Sequence, residues 1–295
     1  MKLDDFSAWE HDIRKLKVVV HFDYDGTLFE WKDLIPEIKR RFIEAGNSMK
    51  SIEDIMTDTK RINEEVYKII NEPGYYYDLM PEENVIGFAR ELSDTGYDTR
   101  LLSCIVSEKA KEDKEFAIND FCAGIFGGTK ENPELYRPYK RIYVPDELRA
   151  EKFAHIPDIY DKNKIHILID DHTPNCIAFE SACKGCDVNG FAIKMFNDIN
   201  GTHGRWQGFS LSNDMPPAKI MEEFKTIETY IRLKAGIKSY PGNKEALKEF
   251  IDAHIASGEP ISRDDIKEFY RNDRDTAKEA EEPDTEKETE DLELD

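Results

Sequence analysis

Positive charge is outnumbered in this sequence. Lys and Arg total 41 against 62 Asp and Glu, a formal net charge of -21 over 295 residues. Such a chain repels phosphodiester backbones and anionic headgroups, which argues against nucleic-acid polymers and membrane surfaces as partners. Apolar runs are short, and none approaches the roughly 18 consecutive residues of a membrane-spanning helix. The opening MKLDDFSAWEHDIRKL is too charged for a secretory signal. The five cysteines are few and odd in number. That argues against a disulfide framework and fits reduced thiols in a cytoplasmic protein. No repeat at a solenoid period is present.

The sequence does have enough apolar residues, 39%, for a sizeable core. They fall in short β-branched runs that alternate with longer amphipathic stretches. Strands are expected at Lys17–Phe22, Tyr97–Leu102, Arg141–Val144, Ile165–Ile169 and, more weakly, Val188–Met195. Helices are expected at Pro81–Thr95, with Val85, Phe88, Ala89 and Leu92 on one face, and at Ser107–Phe126, with Ala110, Phe116, Phe121 and Ile125 near one stripe. A third follows at Pro174–Cys183, which opens on proline. This alternation predicts an α/β fold, a doubly wound, Rossmann-like parallel sheet covered on both faces.

One stretch interrupts the alternation. Leu34–Ala45 and Ile52–Ile70 read as two helices with no strand between Phe29 and Tyr77. The expected organisation is therefore a core of residues 1–28 and 78–213, a small helical cap at 29–77, and extra helices at 214–272. From Asp273 onward the chain carries about nine net negative charges and almost no large apolar residue, so 273–295 reads as a disordered acidic tail.

Chemistry concentrates at the ends of the expected strands. The first runs VVVHF straight into Asp23-Tyr24-Asp25-Gly26-Thr27, placing two like charges side by side where solvation is poor. The fourth ends in Asp170-Asp171, the second in Ser103, and the third leads to Lys152. In open parallel sheets such ends meet at the switch point. Converging carboxylates call for a hard cation such as Mg2+. With an ion, a lysine and a hydroxyl holding a phosphoryl group, one carboxylate can attack phosphorus while its neighbour handles the proton. Gly26 allows a sharp turn that can aim backbone amides at an anion, and Thr27 adds a hydroxyl.

These residues resemble motifs of the haloacid dehalogenase superfamily of phosphohydrolases. Phe22–Leu28 is similar to its DxDGT motif, Leu101-Leu102-Ser103 to its second, and Leu168-Ile169-Asp170-Asp171 to its fourth. The resemblance spans Lys17–Phe209 and places a helical insertion where that superfamily carries its first type of cap. It implies Asp23 as nucleophile and metal ligand, and Asp25 as general acid/base giving its backbone carbonyl to the metal. It further implies Asp170 and Asp171 as metal ligands, Ser103 as a phosphoryl contact, and a lysine touching nucleophile and phosphate. Lys152 is the first choice for that lysine, with Lys162 and Lys164 as alternatives.

Within the superfamily, LIDDHTPN (168–175) and NDINGTHGRWQG (197–208) look like segments of the 5'(3')-deoxyribonucleotidases and their bacterial and phage relatives. That likeness implies a nucleoside monophosphate as substrate, with Trp31 or Phe29 available to stack on a base. Packing of the cap onto the core is the other reading of Trp31. Tyr24, Thr27, the region after Asp214 and the tail depart from the nucleotidase pattern, which leaves sugar phosphates and other small phosphomonoesters as alternative substrates. A non-catalytic scaffold on the same fold is the reading from a different class.

Other features carry less. Cys183-Lys184-Gly185-Cys186 has no second CxxC, which argues against zinc. His21 sits inside an apolar strand and reads as a packed histidine. His203 and Arg205 are candidate contacts to a substrate in a glycine-containing loop. Tyr75-Tyr76-Tyr77 reads as packing where the cap rejoins the core.

Overall fold

The computed structural model describes residues 3–128, 137–197 and 206–281. The chain opens with α1 (Leu3–Lys15) and β1 (Lys17–Phe22), followed by three helices, α2 (Ile35–Glu44), α3 (Met49–Met56) and α4 (Thr59–Ile70). Then come α5 (Glu83–Asp94), β2 (Asp98–Ile105), α6 (Glu108–Phe121) and β3 (Arg141–Pro145). A 3₁₀ segment, Asp146–His155, leads to β4 (Lys164–Asp170), α7 (Thr173–Gly185), β5 (Gly190–Phe196) and β6 (Phe209–Ser212). Three helices close the chain: α8 (Pro217–Gly236), α9 (Lys244–Ser257) and α10 (Arg263–Glu281). Among the described residues no helix is long and apolar enough to cross a membrane.

The molecule divides into two compact units, and the division falls within α8. The larger, Lys17–Phe224, holds the sheet. Its six strands are all parallel, in the order β3-β2-β1-β4-β5-β6. The expected doubly wound fold is what forms. Val18, Val20 and Phe22 face one side of β1, where Phe22 meets Phe88 of α5 and Phe126 edge-on. On the other side Leu102, Ile142, Val144, Leu168 and Ala192 pack with Cys176, Phe179 and Cys183 of α7. The strands read as continuous apolar runs because both faces are covered.

The strand order reverses beside β1. It lies between β2 and β4, with Phe22 in register with Leu101 on one side and Ile169 on the other. The residues just past β1 and at the end of β4 are thereby brought together, at the crevice where doubly wound sheets bind ligands.

The cap insertion has three helices where two are expected. Asp58 breaks the second: its side chain accepts from the Lys60 and Arg61 amides and starts α4 afresh. Ile38, Ile52, Ile55, Ile69 and Ile70 are the buried apolar residues of the insertion's three helices. Its two ends are zipped together, with Glu30 N–H donating to Met80 O at 2.9 Å and Glu82 N–H to Leu28 O at 2.9 Å.

Several expected boundaries shift. β2 runs on to Ile105, so Ser103 lies inside the strand and does not end it. The buried residues of α6 are Ala110, Asp113, Lys114, Ala117 and Ile118, while Phe116 is 61% exposed; a helix read from its phenylalanines is turned the wrong way. β6 is unforeseen, because four residues with only Leu211 buried carry too little pattern.

The second unit joins Met1–Leu16 to the chain from Lys225 on. Residues 1–16 thus belong with the C-terminal helices, and not with the sheet as expected. Trp9 donates its indole N–H to Gly236 O at 2.8 Å, and Phe6 packs on Tyr270 with ring centroids 4.4 Å apart. Glu10 pairs with Arg14 and Arg263, whose hydrogen bonds hold its carboxyl below the usual range. The expectation of disorder from Asp273 is also corrected, because α10 continues to Glu281. The rest of the tail, and His203 and Arg205, lie outside the described residues.

Candidate active site

Asp23 follows β1 directly, its amide held by Ile169 O at 2.9 Å. Lys152, from the 3₁₀ segment, donates to Asp23 Oδ1 at 2.8 Å and to Asp170 Oδ2 at 2.9 Å. All three side chains are buried. Lys162 and Lys164 stand elsewhere: Lys162 reaches Asp187, and Lys164, at the start of β4, pairs with Asp158. Seven strand residues, about 20 Å, separate that start from Asp170. Of the three lysines, Lys152 is the one at the crevice.

Burial makes ionisation of Asp23 costly, and Asp170 and Asp25 add like charge. Lys152 opposes both, and the Asp23 carboxyl is left raised to about 6. For Lys152 burial favours the neutral amine, but the facing Asp170 and Asp23 outweigh it and hold the ammonium above the usual lysine range.

Asp170 is completely buried and held from several sides. Its Oδ1 accepts from His172 N–H at 2.9 Å, and Asn175 Nδ2 lies 3.1 and 3.0 Å from its two oxygens. Asp171 is only partly buried. Oxygens of Asp23, Asp170 and Asp171 lie within 4.8 Å of one another, close enough to share one ion. The donor set is all carboxylate, the chemistry that suits a hard divalent cation such as Mg2+. The Asp25 side chain is not part of this trio. It turns away to Lys114 of α6, whose Nζ donates to Asp25 Oδ2 at 2.6 Å.

Gly26 and Thr27 shape the turn and do not line the cavity. Gly26 has φ +73°, and a Cβ there would stand 2.3 Å from Asp171 Oδ2, so only glycine fits. Its N–H donates to Phe29 O at 2.7 Å. It is therefore not aimed at an anion, contrary to expectation. Thr27 is fully buried, and its Oγ1 accepts from the Asp171 amide at 3.1 Å. Ser103 is equally buried, with its Oγ accepting from Lys114 at 3.0 Å. The next residue, Cys104, lines the cavity, because one step along a strand reverses the side chain. Burial pushes its thiol up to about 11.

The cavity over these carboxylates measures about 310 Å³. Asp23, Asp25, Lys152, Asp171, Trp31 and Arg149 are among the residues that line it. Arg149 is oriented by Asp146, which also accepts from Tyr67 of α4 at 2.6 Å. Trp31 is 36% exposed and available to a ligand. Phe29 is not: it is buried and stacked on Tyr24 with centroids 4.3 Å apart. Tyr76 packs as expected and accepts from Tyr24 Oη through its carbonyl at 2.8 Å, whereas Tyr77 is 41% exposed. His21 is packed in the sheet, its Nε2 3.1 Å from His166 Nδ1. Cys183 is buried in the core, Cys186 is exposed, and both are free thiols.

Lys114, Arg149, Asn175 and Cys104 escape the sequence reading. A lysine in EKAKEDKEF looks solvent-facing, and only its spacing from Ala110, Ala117 and Ile118 signals burial. No protein-family model matches the chain, and no curated protein matches it.

Proposed function

We propose that the chain is a Mg2+-dependent phosphomonoester hydrolase of the haloacid dehalogenase type, acting on nucleoside monophosphates through an aspartyl-phosphate. The observation that carries this reading is the Asp23–Lys152–Asp170 bridge, with Asp171 beside it, at the switch point of the sheet. Asp23, Asp170 and Asp171 would hold the ion, whose positive charge stabilises the negative phosphoryl oxygens.

Asp23 attacks phosphorus, and the phosphorus–oxygen bond to the ester breaks. The leaving alkoxide takes its proton from the Asp25 carboxyl. Asp25, now a carboxylate, takes a proton from water as the water oxygen attacks phosphorus. The acyl-phosphate bond breaks, inorganic phosphate leaves, and Asp23 is restored. Lys152 keeps Asp23 oriented and balances charge as the phosphoryl group arrives. Trp31 supports the nucleotide assignment, since a planar, partly exposed ring at the cavity wall can stack on a base.

The test is phosphate release from nucleoside monophosphates and sugar phosphates, with Mg2+ and with EDTA. Mg2+-dependent turnover that favours nucleotides is expected. Preference for sugar phosphates would overturn the substrate assignment. Turnover that survives EDTA, or none at all, would overturn the mechanism.

A further inference from the structure

The side chain of Lys114 is more completely enclosed than that of any carboxylate it serves. It is 0% exposed, in the middle of a charged helix, α6. An ammonium carries three N–H donors, and here all three have acceptors: Asp25 Oδ2 at 2.6 Å, Cys104 O at 2.8 Å and Ser103 Oγ at 3.0 Å. Two aromatic faces complete the enclosure, Tyr24 with its centroid 4.7 Å from Nζ and Tyr76 at 4.4 Å. No donor is left for a substrate, so Lys114 is not a substrate-binding group.

Asp25 shows the complementary pattern. Its Oδ2 is fixed by Lys114, while its buried Oδ1 has no hydrogen-bond partner among the described residues. Asp25 lines the cavity. A carboxylate held by one oxygen while the other is enclosed has its plane set.

We propose that Lys114 is a positioning residue for proton transfer: it clamps Asp25 through Oδ2 and so sets the plane in which the carboxyl group meets the leaving oxygen and then the attacking water. This rests on the phosphohydrolase reading and adds the residue that orients Asp25. Ser103, expected to touch phosphate, belongs instead to the seat of this lysine. The clamp is built from β2, α6 and the Tyr24 turn, with Tyr76 of the returning insertion as one wall.

The test exploits leaving-group chemistry. A nucleoside monophosphate leaves as an alkoxide and needs a proton; p-nitrophenyl phosphate leaves as a stable phenolate and does not. Breakdown of the acyl-phosphate needs the base in both cases. In Lys114→Met, kcat on the nucleotide should fall about 30-fold or more with KM changed less than about threefold. With p-nitrophenyl phosphate the first turnover should stay within about threefold of wild type, giving a burst of one nitrophenolate per chain before slow turnover.

Lys114→Gln is one bond too short to reach Asp25 and keeps a polar head, so it serves even if the methionine variant does not fold. Its kcat on the nucleotide should fall about fivefold or more, again with a burst on the aryl ester. An unchanged kcat in the folded variants overturns the proposal. An equal loss on both esters without a burst also overturns it, because it marks a merely structural lysine. A wild-type chain that hydrolyses neither ester removes the phosphohydrolase reading itself, a result separable from either.

Discussion

Asp23 Oδ1 and Lys152 Nζ lie 2.8 Å apart, although 129 positions separate them in the chain. The ammonium also reaches Asp170, so it is a single cation neutralising two buried carboxylates. Removing one partner of a buried pair leaves uncompensated charge behind, which is strongly destabilising. Lys152→Met should therefore cost about 3–5 kcal/mol in urea unfolding with EDTA present. Phosphate release should fall at least about 100-fold.

Gly26 tests how rigidly the turn after β1 holds the neighbouring acid. Alanine at φ +73° is strained, and its methyl would meet the Asp171 carboxylate. Gly26→Ala should destabilise the fold by about 1–3 kcal/mol. On the proposed metal site, displacing Asp171 should also weaken any protection by Mg2+ against thermal unfolding. Scanning calorimetry with and without Mg2+ checks both effects.

Trp31 separates the two substrate classes. If its ring stacks on a base, Trp31→Ala removes about 1–3 kcal/mol of binding. KM for nucleoside monophosphates should then rise roughly fivefold to a hundredfold, with KM for sugar phosphates nearly unchanged. Equal effects on both would show that the ring only packs the insertion.

The buried His21–His166 pair predicts a loss of stability in mild acid. Burial, His166 and Arg100 depress His21 well below the ordinary histidine range, and burial lowers His166 to about 4. Above about pH 6.5 both states are neutral and the pair contributes nothing. As pH falls below that, the unfolded chain takes up protons that the native pair refuses, so stability falls with pH. His166 alone accounts for about 2 kcal/mol at pH 5. Urea midpoints at pH 7 and pH 5 should fall less steeply in His21→Leu/His166→Leu than in wild type, a comparison that cancels the other titrating groups.

The sheet and the carboxylate trio were legible because they rest on short-range signals. Apolar β-branched runs mark buried strands, and each functional acid directly follows or ends one. Lys152 was legible by its place after β3. The clamp on Asp25 was not, since Lys114 sits among Glu and Lys that mask the apolar stripe of α6. Ser103 reads as a strand end, but β2 runs three residues beyond Leu102, and because neighbouring strand residues face opposite sides it is Cys104 that lines the cavity. Thr27 and Phe29 looked like ligand contacts in a motif, yet tertiary bonds to Asp171 and stacking on Tyr24 take them out of reach. The affiliation of α1 with the C-terminal helices had no local signal. It depends on Trp9 and Phe6 finding Gly236 and Tyr270 more than two hundred residues away.

The paired backbone bonds at Leu28–Glu82 and Glu30–Met80 give the insertion a neck only two strands wide. Because its ends meet there, the insertion leaves and rejoins the core at one place. The exposed helices between are the part free to diverge, whereas Tyr76 against Lys114 and Tyr67 on Asp146 tie the insertion to the residues beneath it.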